Sequence, residues 1–361
     1  MALLRKINRV LVVLLVLLVS LVLYSTLLRP SPRPSRGHRK SSGGAGRRLP
    51  AVQSPADDVV SVVICASEER MGATMATINS IISNTGASVF FYIVTLRDAV
   101  RLTRRYIEKT KLKGIQYKIL EFNPMVLQGK VKPDSSRPDL LHPLNFVRLY
   151  LPLLDISHKR VIYVDDDVIV QGDIKDLFHV QLKSGHAAAF ASDCDLPPTH
   201  EMVRSIGMQT TYMGFLDYRK QEVKDLAINP NDCSFNPGVF VADIKEWREQ
   251  KITKQLERWM EMNFRLNIYS SAMAGGVVTP PMLIVFHDKY TTLDPLWHVR
   301  HLGWSPDARY SENFLQEVHL LHWNGPFKPW NYPAVHLDLW EKWFLPDPSR
   351  RFSLKRPDTD S

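Results

Sequence analysis

The sequence predicts an α/β fold, with strands and helices alternating around a mostly parallel sheet. Three observations predict it. Residues 59–67 (VVSVVICAS), 89–96 (VFFYIVTL) and 114–120 (GIQYKIL) are short apolar runs rich in β-branched and aromatic residues. Helix-patterned segments separate them. A fourth apolar run ends in three consecutive carboxylates, a chemistry-bearing feature of the kind that parallel sheets present at strand ends.

Taken in order, 59–67 lacks polar alternation and reads as a strand buried on both faces. Residues 72–85 follow with Met75, Ile78, Ile81 and Ile82 at helical spacing. After the strand at 89–96, residues 101–112 form a helix with a basic outer face, and 114–120 is the third strand. Residues 144–154 (LNFVRLYLPLL) read as a helix ended near Pro152. Residues 159–170 (KRVIYVDDDVIV) read as one strand that carries Asp165, Asp166 and Asp167. Right-handed crossovers between such strands put ligands at their carboxyl ends.

The chain has 361 residues, with 46 Lys and Arg against 37 Asp and Glu. Ten of those basic residues and only two of the acidic ones fall in 1–58, which leaves 36 against 35 in 59–361. The body is close to neutral, so composition gives no reason to expect a nucleic-acid partner. Residues 10–28 are uncharged; as a helix they span about 28 Å, enough for the hydrocarbon core of a membrane. A signal peptide is the rival reading, but no small-x-small site follows. The expected organisation is a tip at 1–9, a transmembrane signal-anchor at 10–28, a Pro-, Ser-, Gly- and Arg-rich stem at 29–58, a catalytic domain at 59–345 and a tail at 346–361. Basic residues flank the apolar span on both sides, so charge alone does not orient it.

Several chemistries lack their signature. No G-x-G-x-x-G follows the first strand, and neither a P-loop nor a G-x-S-x-G elbow occurs. In an extended segment Asp165 and Asp167 share a face and Asp166 points away. Two close carboxylates call for a hard divalent cation, Mg²⁺ or Mn²⁺, unless the triplet is a solvated turn. A second cluster, LLHWNGPFKPW (320–330), places His322 at the end of an apolar strand, followed by Gly325 and Lys328. Lys328 suits a phosphate; a proline-rich surface loop is the plainer alternative.

The two clusters, in this order, resemble glycosyltransferase family 8. There a D-x-D follows a strand, and an H-x-x-G-x-x-K-P-W loop closes over the donor. The resemblance covers roughly residues 59–345. It implies a GT-A fold, Rossmann-like, with a mixed and mostly parallel sheet flanked by helices. It further implies metal-dependent transfer of a sugar from a UDP-sugar, with retention, to an acceptor the sequence does not identify. Asp165, Asp167 and His322 would hold Mn²⁺ or Mg²⁺. Gly325 and Lys328 would meet the diphosphate, and Ala66, Ser67 and Glu68 the uridine. Arg148 and Asp166 would lie near the donor, and Asp193, Asn236 and Gly238 would contact its sugar. Such enzymes are type II membrane proteins, with the catalytic domain in the Golgi or ER lumen. There Cys194 and Cys233 either pair or remain two thiols, while Cys65 reads as core.

One departure bears on activity. Where many family members carry an Asp-Gln or Asp-Asp pair near the reacting carbon, residues 272–304 have none, so no catalytic residue is assigned. A catalytically weak nucleotide-sugar or glycan binder is the alternative reading, and a Mg²⁺-dependent phosphohydrolase is weaker still. Trp297, Trp304, Trp323 and Trp330 form either an acceptor platform or core. His298 and His301 read as structural.

Overall fold

The computed structural model describes residues 59–131, 138–194, 213–269, 277–306 and 310–357. The expected tip, signal-anchor and stem (1–58) lie outside the described residues. Among the described residues no helix is long and apolar enough to cross a membrane.

The described chain forms the expected α/β fold, a mixed and mostly parallel sheet flanked by helices. In chain order its elements are β1 (Val60–Cys65), α1 (Met71–Ser83), β2 (Val89–Thr95), α2 (Val100–Glu108) and β3 (Gln116–Glu121). Then come β4 (Arg160–Val164), β5 (Val168–Val170), α3 (Ile174–Phe178), β6 (Ala188–Ala191), α4 (Gln221–Lys224), β7 (Val239–Asp243), α5 (Ile244–Glu249) and α6 (Ile252–Leu266). The last are α7 (Thr279–Phe286), β8 (Thr291–Leu293), α8 (Glu312–Glu317), β9 (Leu320–His322) and α9 (Leu337–Glu341). Seven strands make one sheet in the order β3-β2-β1-β4-β7-β6-β8. Strands β3, β2, β1 and β4 run parallel, and β7 enters antiparallel beside β4. The strand order therefore reverses between β1 and its neighbours, and the opening at the carboxyl ends of β1 and β4 is the switch point at which such sheets bind ligands.

Every residue of β1 is buried, as its unbroken apolar run requires. Eleven of the thirteen residues of α1 are also buried, so this helix is enclosed on both sides. Met71, Met75, Ile78 and Ile81 pack on the sheet, while Ala73 and Ala76 meet a separate cluster containing Trp340 and Phe352. Residues 296–344 supply most of that second cover, and Phe352 and Leu354 complete it. A Cβ on Gly72 would lie 2.2 Å from the Phe352 ring, so only glycine allows the contact.

Two segments differ from the sequence reading. Residues 159–170 are two strands, not one. Asp165–Asp167 form a turn between them, and β5 leaves the main sheet to pair antiparallel with β9. The free edge of β5 is closed by polar side chains of α1. Thr77 Oγ1 donates to the Val168 carbonyl at 2.7 Å, Asn84 Nδ2 donates to that of Val170 at 2.8 Å, and the Val170 N–H donates to Ser80 Oγ at 3.0 Å. Residues 144–154 are not an α-helix but two short 3-10 turns, Pro143–Leu149 and Leu151–Leu153. His142 caps the first turn by accepting the Leu144 N–H, and Pro152 carries no N–H to continue a helix, so the apolar run folds as tight turns packed on the sheet.

Cys194 and Cys233 form a disulfide with a sequence separation of 39. It flanks the backbone bond from Asp193 N–H to the Ser234 carbonyl at 2.8 Å. Chain-entropy arguments assign a loop of this size about 4 kcal/mol. The Cys194→Ser chain is expected to lose stability of that order in non-reducing urea unfolding. Reductant should lower the wild type to match and leave the variant unchanged.

Candidate metal and diphosphate site

Strand β4 delivers Asp165 to the switch point, where its N–H donates to the Gly238 carbonyl at 2.8 Å. The turn then presents three largely buried carboxylates, and each has a cation. Asp165 takes both Nη atoms of Arg148, at 2.7 and 3.2 Å, and the Tyr163 hydroxyl at 3.1 Å. Asp166 lies 2.6 Å from Arg70 Nη2. Asp167 Oδ1 lies 2.9 Å from His322 Nε2, and Asp167 Oδ2 lies 2.5 Å from Lys328 Nζ and 3.1 Å from Arg70 Nη2. Asp166 is thus not turned away from its neighbours, because a turn lacks the alternation of a strand.

The register Val168 opposite His322 brings the histidine to Asp167. Ligand atoms of Asp165, Asp167 and His322 all lie within 4.8 Å of one another. Two carboxylates and an imidazole form a donor set suited to Mn²⁺, and to Mg²⁺ where phosphate oxygens complete it. Glycine at 238 is what lets the three approach so closely. A Cβ built on Gly238 would fall 2.6 Å from both Asp165 Oδ2 and His322 Cε1. His322 Nδ1 is in turn 2.8 Å from His298 Nε2, with the two rings nearly parallel at 13°, which fixes the imidazole plane.

Burial alone would raise the Asp167 pKa, but Lys328, His322 and Arg70 together hold it well below the usual carboxylate range. Burial pushes Asp166 up to about 7 against the pull of Arg70. Asp167 therefore stays ionised, ready to face a cation. Burial, aided by Arg300, keeps His298 neutral and lowers His301 to about 3. Cys65 is a core thiol pushed up to about 12 by burial.

Two clefts meet at the turn. One, of about 370 Å³, is lined by Ser67, Glu69, Arg70, His142, Asn145 and Tyr163 among others. The other, of about 330 Å³, is lined by Arg148, Asn236, Trp304, His322, Gly325 and Lys328 among others. Asp165 and Asp167 belong to both. The structure thus gathers Ser67, Arg148, Asp165, Asp166, Asp167, Asn236, His322, Gly325 and Lys328. Gly238 abuts them, and the Asn236 side chain accepts its N–H at 2.8 Å.

Three expected residues stand elsewhere. Ala66 is buried and bonded within the sheet, its N–H donating to Val94 at 2.8 Å. Glu68 turns outward to Arg351. Asp193 lies behind the clefts, paired with Arg300 and accepting from Ser234, and burial raises it to about 6. Of the four tryptophans, Trp304 lines the second cleft, while Trp297, Trp323 and Trp330 are buried in the packing. Arg70, Asn145 and Tyr163 were not singled out from the sequence. Arg70 had one signal, its place directly after the first strand.

The profile of glycosyl transferase family 8 matches residues 61–334. Glycosyltransferase 8 domain-containing protein 2 of Homo sapiens is 57% identical over 354 residues, covering 98% of this chain and 99% of the relative. Glycosyltransferase 8 domain-containing protein 1 of Homo sapiens is 46% identical, covering 99% of this chain and 98% of that one. Among solved structures, the galactosyltransferase LgtC in complex with donor and acceptor sugar analogs superposes with a TM-score of 0.58 at 16% identity. It covers 79% of this chain and 95% of that one, a likeness of fold.

Two expectations test this geometry. Gly238→Ala should weaken Mn²⁺ binding, read by electron paramagnetic resonance, at least about tenfold while leaving far-UV circular dichroism unchanged. The second concerns His301, whose folded-state pKa is lowered to about 3 from 6.5. Below 6.5 the unfolded chain binds a proton that the folded chain does not, so stability is complete above 6.5 and lost as pH falls. Between pH 7.5 and 5 the wild type should lose about 2 kcal/mol more than His301→Asn in urea unfolding.

Proposed function

The chain belongs to glycosyl transferase family 8, and from that membership we propose that it transfers a sugar from a UDP-sugar to a separate acceptor, with retention. The observation that carries the reading is the Asp165–Asp167–His322 constellation at the junction of the two clefts, with Lys328 beside it. The first cleft suits the nucleoside and the second the transferred sugar. Asp165, Asp167 and His322 would hold Mn²⁺ or Mg²⁺, which supplies Lewis-acid charge to the two phosphates when bound. Lys328 adds a point charge to the departing phosphate, and the Gly325 loop closes over it.

In the reaction the bond from the sugar's anomeric carbon to the phosphate oxygen breaks, and the acceptor hydroxyl oxygen bonds to that carbon. The hydroxyl proton passes to the departing diphosphate, which leaves as the nucleoside diphosphate. We further propose a type II membrane protein whose catalytic domain faces the lumen of the Golgi or ER. The uncharged span at 10–28 and the Cys194–Cys233 disulfide, which needs an oxidising compartment, support that placement.

One observation favours a second reading. Among the described residues lining the sugar-side cleft, the only carboxylates are Asp165 and Asp167. That lining is what a protein that binds a nucleotide sugar or glycan without turnover would have. The full chain in detergent, given a panel of UDP-sugars, separates the two. Turnover is expected with Mn²⁺, to be abolished by EDTA and lowered at least about 100-fold by Asp165→Asn/Asp167→Asn. Metal-dependent UDP binding with no donor consumed selects the binder. Turnover that survives loss of both carboxylates refutes the site.

A further inference from the structure

We propose that Arg70 is an exchangeable cation. It neutralises Asp166 and Asp167 in the free protein, and it passes to a phosphate of the bound nucleotide when a divalent cation takes Asp167. The inference rests on the nucleotide-sugar reading above.

The three cations at the acidic turn are not equivalent. Arg148 is firmly anchored. Its two Nη atoms hold Asp165, Nη1 also donates to the Pro237 carbonyl at 2.8 Å, and Nε donates to the Asn145 carbonyl at 3.0 Å. It is buried, and its guanidinium lies 4.8 Å from the Tyr163 ring centre. Four of its five donors are thus engaged, three of its bonds fix it to Asp165 and to the Pro237 carbonyl, and Arg148 is held in place as the support of Asp165.

Arg70 is the opposite case. Both its ion pairs run through Nη2, and neither Nε nor Nη2, although buried, makes a well-aligned hydrogen bond to any described residue. Its side chain is one-third exposed and lines both clefts. Nη2 also shares a single oxygen, Asp167 Oδ2, with Lys328. Two cations on one carboxylate oxygen repel each other. Ligation of Asp167 by a metal ion takes away the one partner that both share, and leaves Arg70 with Asp166 alone and Lys328 with the Trp323 carbonyl.

A guanidinium released in this way presents a planar fork that matches a phosphate, and an ammonium beside it adds a second charge. Trp330 limits where the fork can go. Its ring lies 5.2 Å from the Arg70 guanidinium carbon, and it belongs to the same loop as Lys328. The stack keeps the guanidinium between the acidic turn and the loop while its partners change. The consequence is a linkage. Arg70 competes with the metal for Asp167 when no nucleotide is present, and assists the nucleotide once the metal is bound.

The test uses the full chain in detergent, with Mn²⁺ binding followed by electron paramagnetic resonance and UDP binding by calorimetry. Arg70→Gln should bind Mn²⁺ about two- to fivefold more tightly in the absence of nucleotide. At saturating Mn²⁺ it should bind UDP about tenfold more weakly. Arg70→Lys should fall between wild type and Gln in UDP affinity. A second readout needs no variant: phenylglyoxal labelling of Arg70 in the wild type, mapped by mass spectrometry. Labelling should rise with Mn²⁺ alone and fall when UDP is added.

Opposite shifts in the two affinities, or the rise and fall in labelling, support the exchange. Unchanged UDP affinity in Arg70→Gln, or equal labelling in all three states, overturns it while leaving the donor reading intact. A wild type that binds neither Mn²⁺ nor UDP overturns both.

Discussion

Three consecutive carboxylates sit in a buried turn, and the rest of the site follows from the need to neutralise them. An unpaired charge in such a place costs several kcal/mol. The chain answers with cations from three distant segments. Arg148 comes from the turns at 143–149, Arg70 from the residue that precedes α1, and Lys328 from the loop after β9. Each pairing ties one element to the switch point, so the clefts are shaped by the same contacts that make the turn tolerable. The main chain joins in, because the Trp323 N–H donates to the Asp167 carbonyl at 3.0 Å and Lys328 Nζ reaches the Trp323 carbonyl at 2.9 Å.

The diversion of β5 out of the main sheet is what makes the constellation possible. Had 159–170 continued as one strand, alternation would have separated the carboxylates between two faces and left His322 without a partner strand. As built, β5 and β9 pair in a register that sets Val168 opposite His322, beside Asp167. A slip of one residue would send the histidine to the other face. That register is held from behind by Thr77, Ser80 and Asn84, whose side chains bond the outer edge of β5. An enclosed helix can carry these polar residues at little cost because each has a backbone partner.

This explains what could be read in advance. The parallel strands and α1 were legible because each is a long apolar stretch whose pattern follows from burial alone. The D-x-D and H-x-x-G-x-x-K-P-W strings located Asp165, Asp167, His322 and Lys328, since those residue types at those spacings have few other uses. The break inside VIYVDDDVIV was not legible. Its apolar pattern runs on across the carboxylates, and only the pairing with β9 shows where the strand ends. The 3-10 turns at 143–153 look helical because their apolar content belongs to the core. Arg70 escaped notice because an arginine after two glutamates, at the start of a helix, reads as a solvated surface; its ion pairs are purely tertiary.

Asp167 and Asp193 show why the two sides of the site should behave differently. Both are carboxylates buried beside cations, yet Asp167 is held well ionised while burial raises Asp193 to about 6. The difference lies in the number of partners. Asp167 meets His322, Lys328 and Arg70, whereas Asp193 has Arg300 and the Ser234 hydroxyl. A carboxylate with that many cations around it is built to remain charged when one of them leaves, which is the property a ligand-exchanging site requires. Asp193 instead acts through the chain. It fixes Ser234, two residues before Asn236, whose side chain holds the Gly238 N–H. A Cβ on Gly238 would fall 2.6 Å from both Asp165 Oδ2 and His322 Cε1, so a methyl group would not fit there. The Asp193–Arg300 pair thus holds the segment that leads to Gly238, while the carboxylate whose partners can change, Asp167, is the one that lines both clefts.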